Sequence, residues 1–99
     1  MIESNEYDDV EIFLTGTFHQ DVEDPKEALL EYIEEVDSLW LLHISKEIER
    51  FLMSELSERY KQEFIQEYTD IYYPAIGLKP VEWLMDVLEE IKKSINFKN

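Results

Sequence analysis

The chain has 99 residues, no cysteine and a formal net charge of -15, with 44% apolar and 13% aromatic residues. That length suits one domain with one hydrophobic core, and the apolar content is enough to fill it, which argues against disorder despite the charge. Disulfides and thiolate-bound zinc are excluded, while the acidity disfavours binding to nucleic acid or to anionic lipid.

Apolar spacing predicts helices almost throughout. The first spans roughly Tyr7 to Thr15, with Tyr7, Val10, Phe13 and Leu14 at helical intervals and Gly16 as its stop. Thr17 to Glu23 reads as a connector. The second opens at Asp24, a side chain suited to capping free N–H groups; Pro25 fits the first helical position and Glu27 the capping-box position. Its inner face carries Ala28, Leu29, Tyr32, Ile33 and Val36. The opposite face carries Glu27, Glu31, Glu34 and Glu35.

A third helix is expected from Leu39 to Met53 after Asp37 or Ser38 as cap, burying Trp40, Leu41, Ile44, Ile48, Phe51 and Leu52 and leaving His43, Glu47 and Arg50 on its polar side. The fourth, from about Glu55 to Tyr68, would bury Leu56, Tyr60, Phe64 and Ile65. Asp70 to Gly77 reads as a structured loop, because Pro74 disfavours helix at Tyr73. The last helix runs from Pro80 to about Ile95 with Val81, Leu84, Leu88, Ile91 and Ile95 inside, Trp83 at the edge of that stripe, and Lys92 and Lys93 near its C-terminus. The expected fold is therefore all-α, a single compact domain of about five helices over residues 1–99.

The charge is unevenly placed. Residues 1–37 hold 13 of the 24 acidic side chains and one basic one, Lys26, whereas residues 38–99 hold 11 acids and 8 bases. Four like charges at spacings of one, three and four residues weaken a helix, so the acidic face of the second helix reads as a docking surface for a basic protein. The candidate partner-binding residues are Asp21, Glu23, Asp24, Glu27, Glu31, Glu34 and Glu35.

The search for chemistry is negative. The sequence has no phosphate-cradling glycine loop, no nucleophile elbow and no His-Glu-x-x-His pair. His43 and Glu47 share the spacing of a metal pair, but two ligands are too few, and a routine surface pair is the reading adopted. His19-Gln20-Asp21 could pass for an acid–base dyad; lacking a third group, it is read as tying the connector to neighbouring backbone. No enzyme, cofactor or metal site is expected. Neither a signal peptide nor an apolar run long enough to cross a bilayer is found, so the expected location is the cytoplasm.

Three segments carry a family resemblance: Gly16-Thr17-Phe18-His19-Gln20-Asp21 followed by the acidic stretch and the Pro-initiated helix; Tyr72-Tyr73-Pro74 with Gly77; and Glu82-Trp83-Leu84. In this order they resemble the helical immunity proteins of bacterial contact-dependent growth inhibition systems, from about Leu14 to Ile95. Val22 stands where that family often has an aromatic residue. The resemblance implies that the partner is a cognate toxin C-terminal domain, often a nuclease, encoded beside the immunity protein and bound in the cytoplasm. His19, Tyr73 and Trp83, which match its motifs, are assigned to the fold. The alternative is an acidic adaptor or nucleic-acid mimic that binds a basic host protein.

Overall fold

The computed structural model describes residues 7–18 and 24–98, with side chains to Asn96. Six helices occur among them: α1 (Asp8–Thr17), α2 (Pro25–Glu35), α3 (Ser38–Leu52), α4 (Glu58–Tyr68), the short α5 (Tyr73–Ile76) and α6 (Pro80–Lys98). No strand is present among the described residues. The five longer helices match the expected all-α class, with α3 and α6 as the central pair and α1, α2 and α4 packed around them.

Local chemistry sets most of the ends. The Asp24 carboxylate accepts the Lys26 N–H at 3.0 Å and Pro25 opens α2, as its sequence predicts. Asp37, rather than Ser38, caps α3 by accepting the Trp40 N–H at 2.8 Å. Ser57 caps α4 in the same way, so that helix begins at Glu58 and not near Glu55. Lys61 donates its ammonium to the carbonyls of Leu52 and Ser54, satisfying acceptors left over at the end of α3. At the start of α6, Glu82 accepts the Lys79 N–H and Gln62 accepts the Val81 N–H, which joins α6 to α4.

Three further boundaries differ from expectation. Gly16 does not stop α1, which continues to Thr17 and ends at Phe18, whose N–H reaches Leu14 and whose ring is 1% exposed. Tyr73 is helical although it precedes Pro74. It is the first residue of α5, and its phenol is anchored in the interior. Gly77, at φ +72°, closes α5 in the left-handed conformation. Finally, α6 runs past Ile95 to Lys98.

One continuous core is built from Val10, Phe13 and Leu14 of α1, Leu29 and Ile33 of α2, Leu41, Ile44, Ile48 and Phe51 of α3, Phe64 and Ile65 of α4, and Leu84, Val87, Leu88, Ile91 and Ile95 of α6. Two predicted core residues lie outside it. Trp40 is 41% and Tyr60 50% exposed. Trp40 sits on the flank of α3, its indole N–H donating to the Tyr32 hydroxyl at 2.7 Å and its ring resting against His43. Tyr60, in the first turn of α4, reaches only the rim of the core beside Phe64. Leu52 and Leu56 are half-buried against the core.

Candidate functional site

The acidic face of α2 is laid out as its periodicity requires. Leu29 and Ile33 face the core, and Glu27, Glu31, Glu34 and Glu35 are all exposed on the other side. None of the four makes an ion pair among the described residues. The last turn of α2 holds no cation, so Glu34 and Glu35 face the negative end of the helix dipole. Like-charge spacing opposes this arrangement by about 0.2–0.5 kcal/mol per spaced pair, and the dipole opposes it at Glu34 and Glu35 while favouring Glu27 in the first turn. Asp24 is exposed at the N-cap, where its carboxylate is favourable to the same dipole. Asp21 and Glu23, with His19 and Gln20 of the candidate dyad, lie outside the described residues.

A groove of about 450 Å³ opens between the first turn of α2, the α5 turn and α6. Its apolar wall comes from Pro25, Leu29, Ile76, Leu78, Trp83 and Val87. Four carboxylates (Asp24, Asp86, Glu89 and Glu90) and two ammonium groups (Lys26 and Lys93) stand around it. Of the sequence-proposed residues that are described, Asp24 lies here and the acids on the outer face of α2 do not. Asp86, Glu89 and Glu90 were missed because residues 38–99 look nearly balanced as a block. Their three- and four-residue spacing on α6 was the usable signal, and only folding sets that face beside Asp24.

A second polar array joins α1, α2 and α3. His43 Nε2 lies 2.7 Å from the Asp9 carboxylate, and Trp40 bridges His43 to Tyr32. Burial raises the Tyr32 pKa above the usual tyrosine value, opposed by the Trp40 hydrogen bond and assisted by the Asp9 charge. His43 is thus paired with Asp9, while Glu47 is paired with Arg50 at 3.0 Å. No group of three or more potential metal ligands is assembled among the described residues.

The aromatic residues of the family-like segments converge. Phe18 meets Trp83 edge-on, and Trp83 in turn meets Tyr73, all three being at most 6% exposed. Tyr73 donates its hydroxyl to Thr69 Oγ1 at 2.8 Å, whose own proton goes to the Ile65 carbonyl. Tyr72, its neighbour, is 74% exposed and stands apart from the cluster. Tyr73 and Trp83 hold the fold together, the assignment made for them from sequence. Among the described residues no helix is long and apolar enough to cross a membrane.

No curated protein and no solved structure compared with this chain matches it. A family model described as CdiI immunity protein matches residues 6–91, a span running from before α1 well into α6 and containing all three segments of the resemblance. The chain belongs to the CdiI immunity protein family, a family of inhibitors rather than enzymes whose members give immunity to a cognate contact-dependent growth inhibition toxin.

Proposed function

We propose that this protein neutralises its toxin by laying an acidic surface over a basic one, that the toxin domain is a nuclease, and that the complex forms in the cytoplasm. The observation that carries the reading is the exposed row Glu27, Glu31, Glu34 and Glu35, which opposes helix stability and makes no ion pair among the described residues. A nuclease is positively charged where it holds phosphate, and carboxylates spaced along a helix can occupy those positions. Complementary charge also speeds encounter, up to about 10⁸–10⁹ M⁻¹s⁻¹ at low salt, an advantage when the inhibitor must find an incoming toxin quickly.

The test is co-expression with the toxin domain encoded immediately upstream, read as growth rescue, co-purification and protection of cellular nucleic acid. Rescue with a stable complex supports neutralisation, and protected nucleic acid supports a nuclease. Rescue without any effect of Glu31→Lys, Glu34→Lys and Glu35→Lys combined would remove the acidic face of α2 from the interface. Neither rescue nor complex, with retention of several basic host proteins instead, would favour the adaptor reading.

A further inference from the structure

We infer that the groove between α2, α5 and α6 receives a segment of the same toxin that presents one apolar side chain flanked by Lys or Arg; this inference rests on the neutralisation reading above. Ile76 is 41% exposed and Leu78 half-buried, so the groove offers apolar surface that the fold leaves in water. Gly77 ends α5 in the left-handed conformation, and Ile76 and Leu78 on either side of it both line the groove.

The rim decides the chemistry of the occupant. Asp86 and Glu89 make no ion pair among the described residues, Glu90 is only loosely paired with Lys93 at 3.9 Å, and carboxylates outnumber ammonium groups four to two. A purely apolar segment would strip water from these carboxylates without replacing it, and an acidic one would be repelled. A basic segment with an apolar tip satisfies both the wall and the rim. The arrangement is that of an interface anchor, an apolar side chain in a pocket surrounded by polar contacts.

The experiment is calorimetric titration of the full chain with the purified upstream-encoded toxin domain, comparing wild type, Asp86→Lys with Glu89→Lys, and Ile76→Ser. The double reversal is expected to raise Kd at least tenfold and Ile76→Ser several-fold, with melting curves confirming that each variant is folded. If the double reversal fails to fold, Asp86→Asn with Glu89→Gln replaces it, with a several-fold rise expected. In a Trp40→Phe background Trp83 is the only indole, and its emission is expected to change on binding. Tight binding by wild type with unchanged Kd in the folded groove variants overturns this inference and leaves neutralisation standing. Absence of binding by wild type overturns both.

Discussion

The ring of Phe18 stands edge-on to the indole of Trp83, with centroids 4.8 Å apart and planes at 83°. This contact joins the end of α1 to the first turns of α6, and the Phe18 carbonyl accepts the Asp70 N–H at 2.9 Å beside it. Tyr73 covers Trp83 from another side, its centroid 5.9 Å away. Aromatic residues from three segments separated along the chain thus build one cluster.

Trp83→Ala should therefore be among the most damaging single substitutions. Removing a buried indole from such a cluster costs about 3–5 kcal/mol, a large share of the ~5–15 kcal/mol that holds a small domain together. Urea unfolding should show a greatly lowered midpoint. Tyr72→Ala, at an exposed site next to Tyr73, should stay within about 0.5 kcal/mol of wild type. Equal losses at both sites would contradict the cluster.

The two glycines should respond with opposite signs. Gly16 lies in the last turn of α1, and a Cβ added there meets nothing within 4 Å, so Gly16→Ala should stabilise by about 0.5–1 kcal/mol. Gly77 also has open space, but its φ of +72° strains any L side chain. Gly77→Ala should cost about 1–2 kcal/mol. Thermal melts of the two variants provide the comparison.

What the sequence made legible was local. Asp24 followed by Pro25 specified a helix start that needed nothing from elsewhere, and the inner and outer faces of α2 followed from period alone. Periodicity tells which side of a helix is apolar, not whether another element arrives to cover all of it. That is why Trp40 and Tyr60 were expected in the core and are found at its margin. The groove was invisible for a related reason: Asp24, Ile76 and Asp86 belong to three elements, and no local pattern brings them together. Tyr73 shows a third limit, since the rule against helix before proline is overridden where a residue's burial and its hydrogen bond to Thr69 favour the turn.

Tyr73 should also make stability fall at high pH. Burial pushes its phenol from 10.0 up to about 12, partly opposed by the hydrogen bond to Thr69. The folded state therefore holds this proton more tightly than the unfolded chain does. Its contribution is fully present below pH 10 and is lost as pH rises through 12. Tyr73→Phe should remove a late component from the ultraviolet phenolate titration and flatten stability across that window. At neutral pH the same variant should lose about 0.5–1.5 kcal/mol with the hydrogen bond. A midpoint falling equally steeply in the variant would assign the alkaline loss to other groups.

The acidic face of α2 offers the sharpest separation of folding from binding. In Glu31→Lys, the new cation faces Glu27 one turn before it and Glu34 and Glu35 one turn after it, replacing repulsions with attractions of about 0.2–0.5 kcal/mol each. It also places a positive charge nearer the C-terminal, negative end of the helix dipole. The variant should therefore melt at the same temperature as wild type or slightly above it. If the wild-type glutamate serves association, the same change should slow binding to the toxin domain, with the difference shrinking as salt screens both proteins. Stopped-flow association at low and high salt, beside thermal melts, measures the two effects separately. Higher stability with slower association would mean that the carboxylate is held at the expense of the helix for its partner's sake. Higher stability with unchanged association would make Glu31 a bystander and direct attention to Asp86 and Glu89 across the groove.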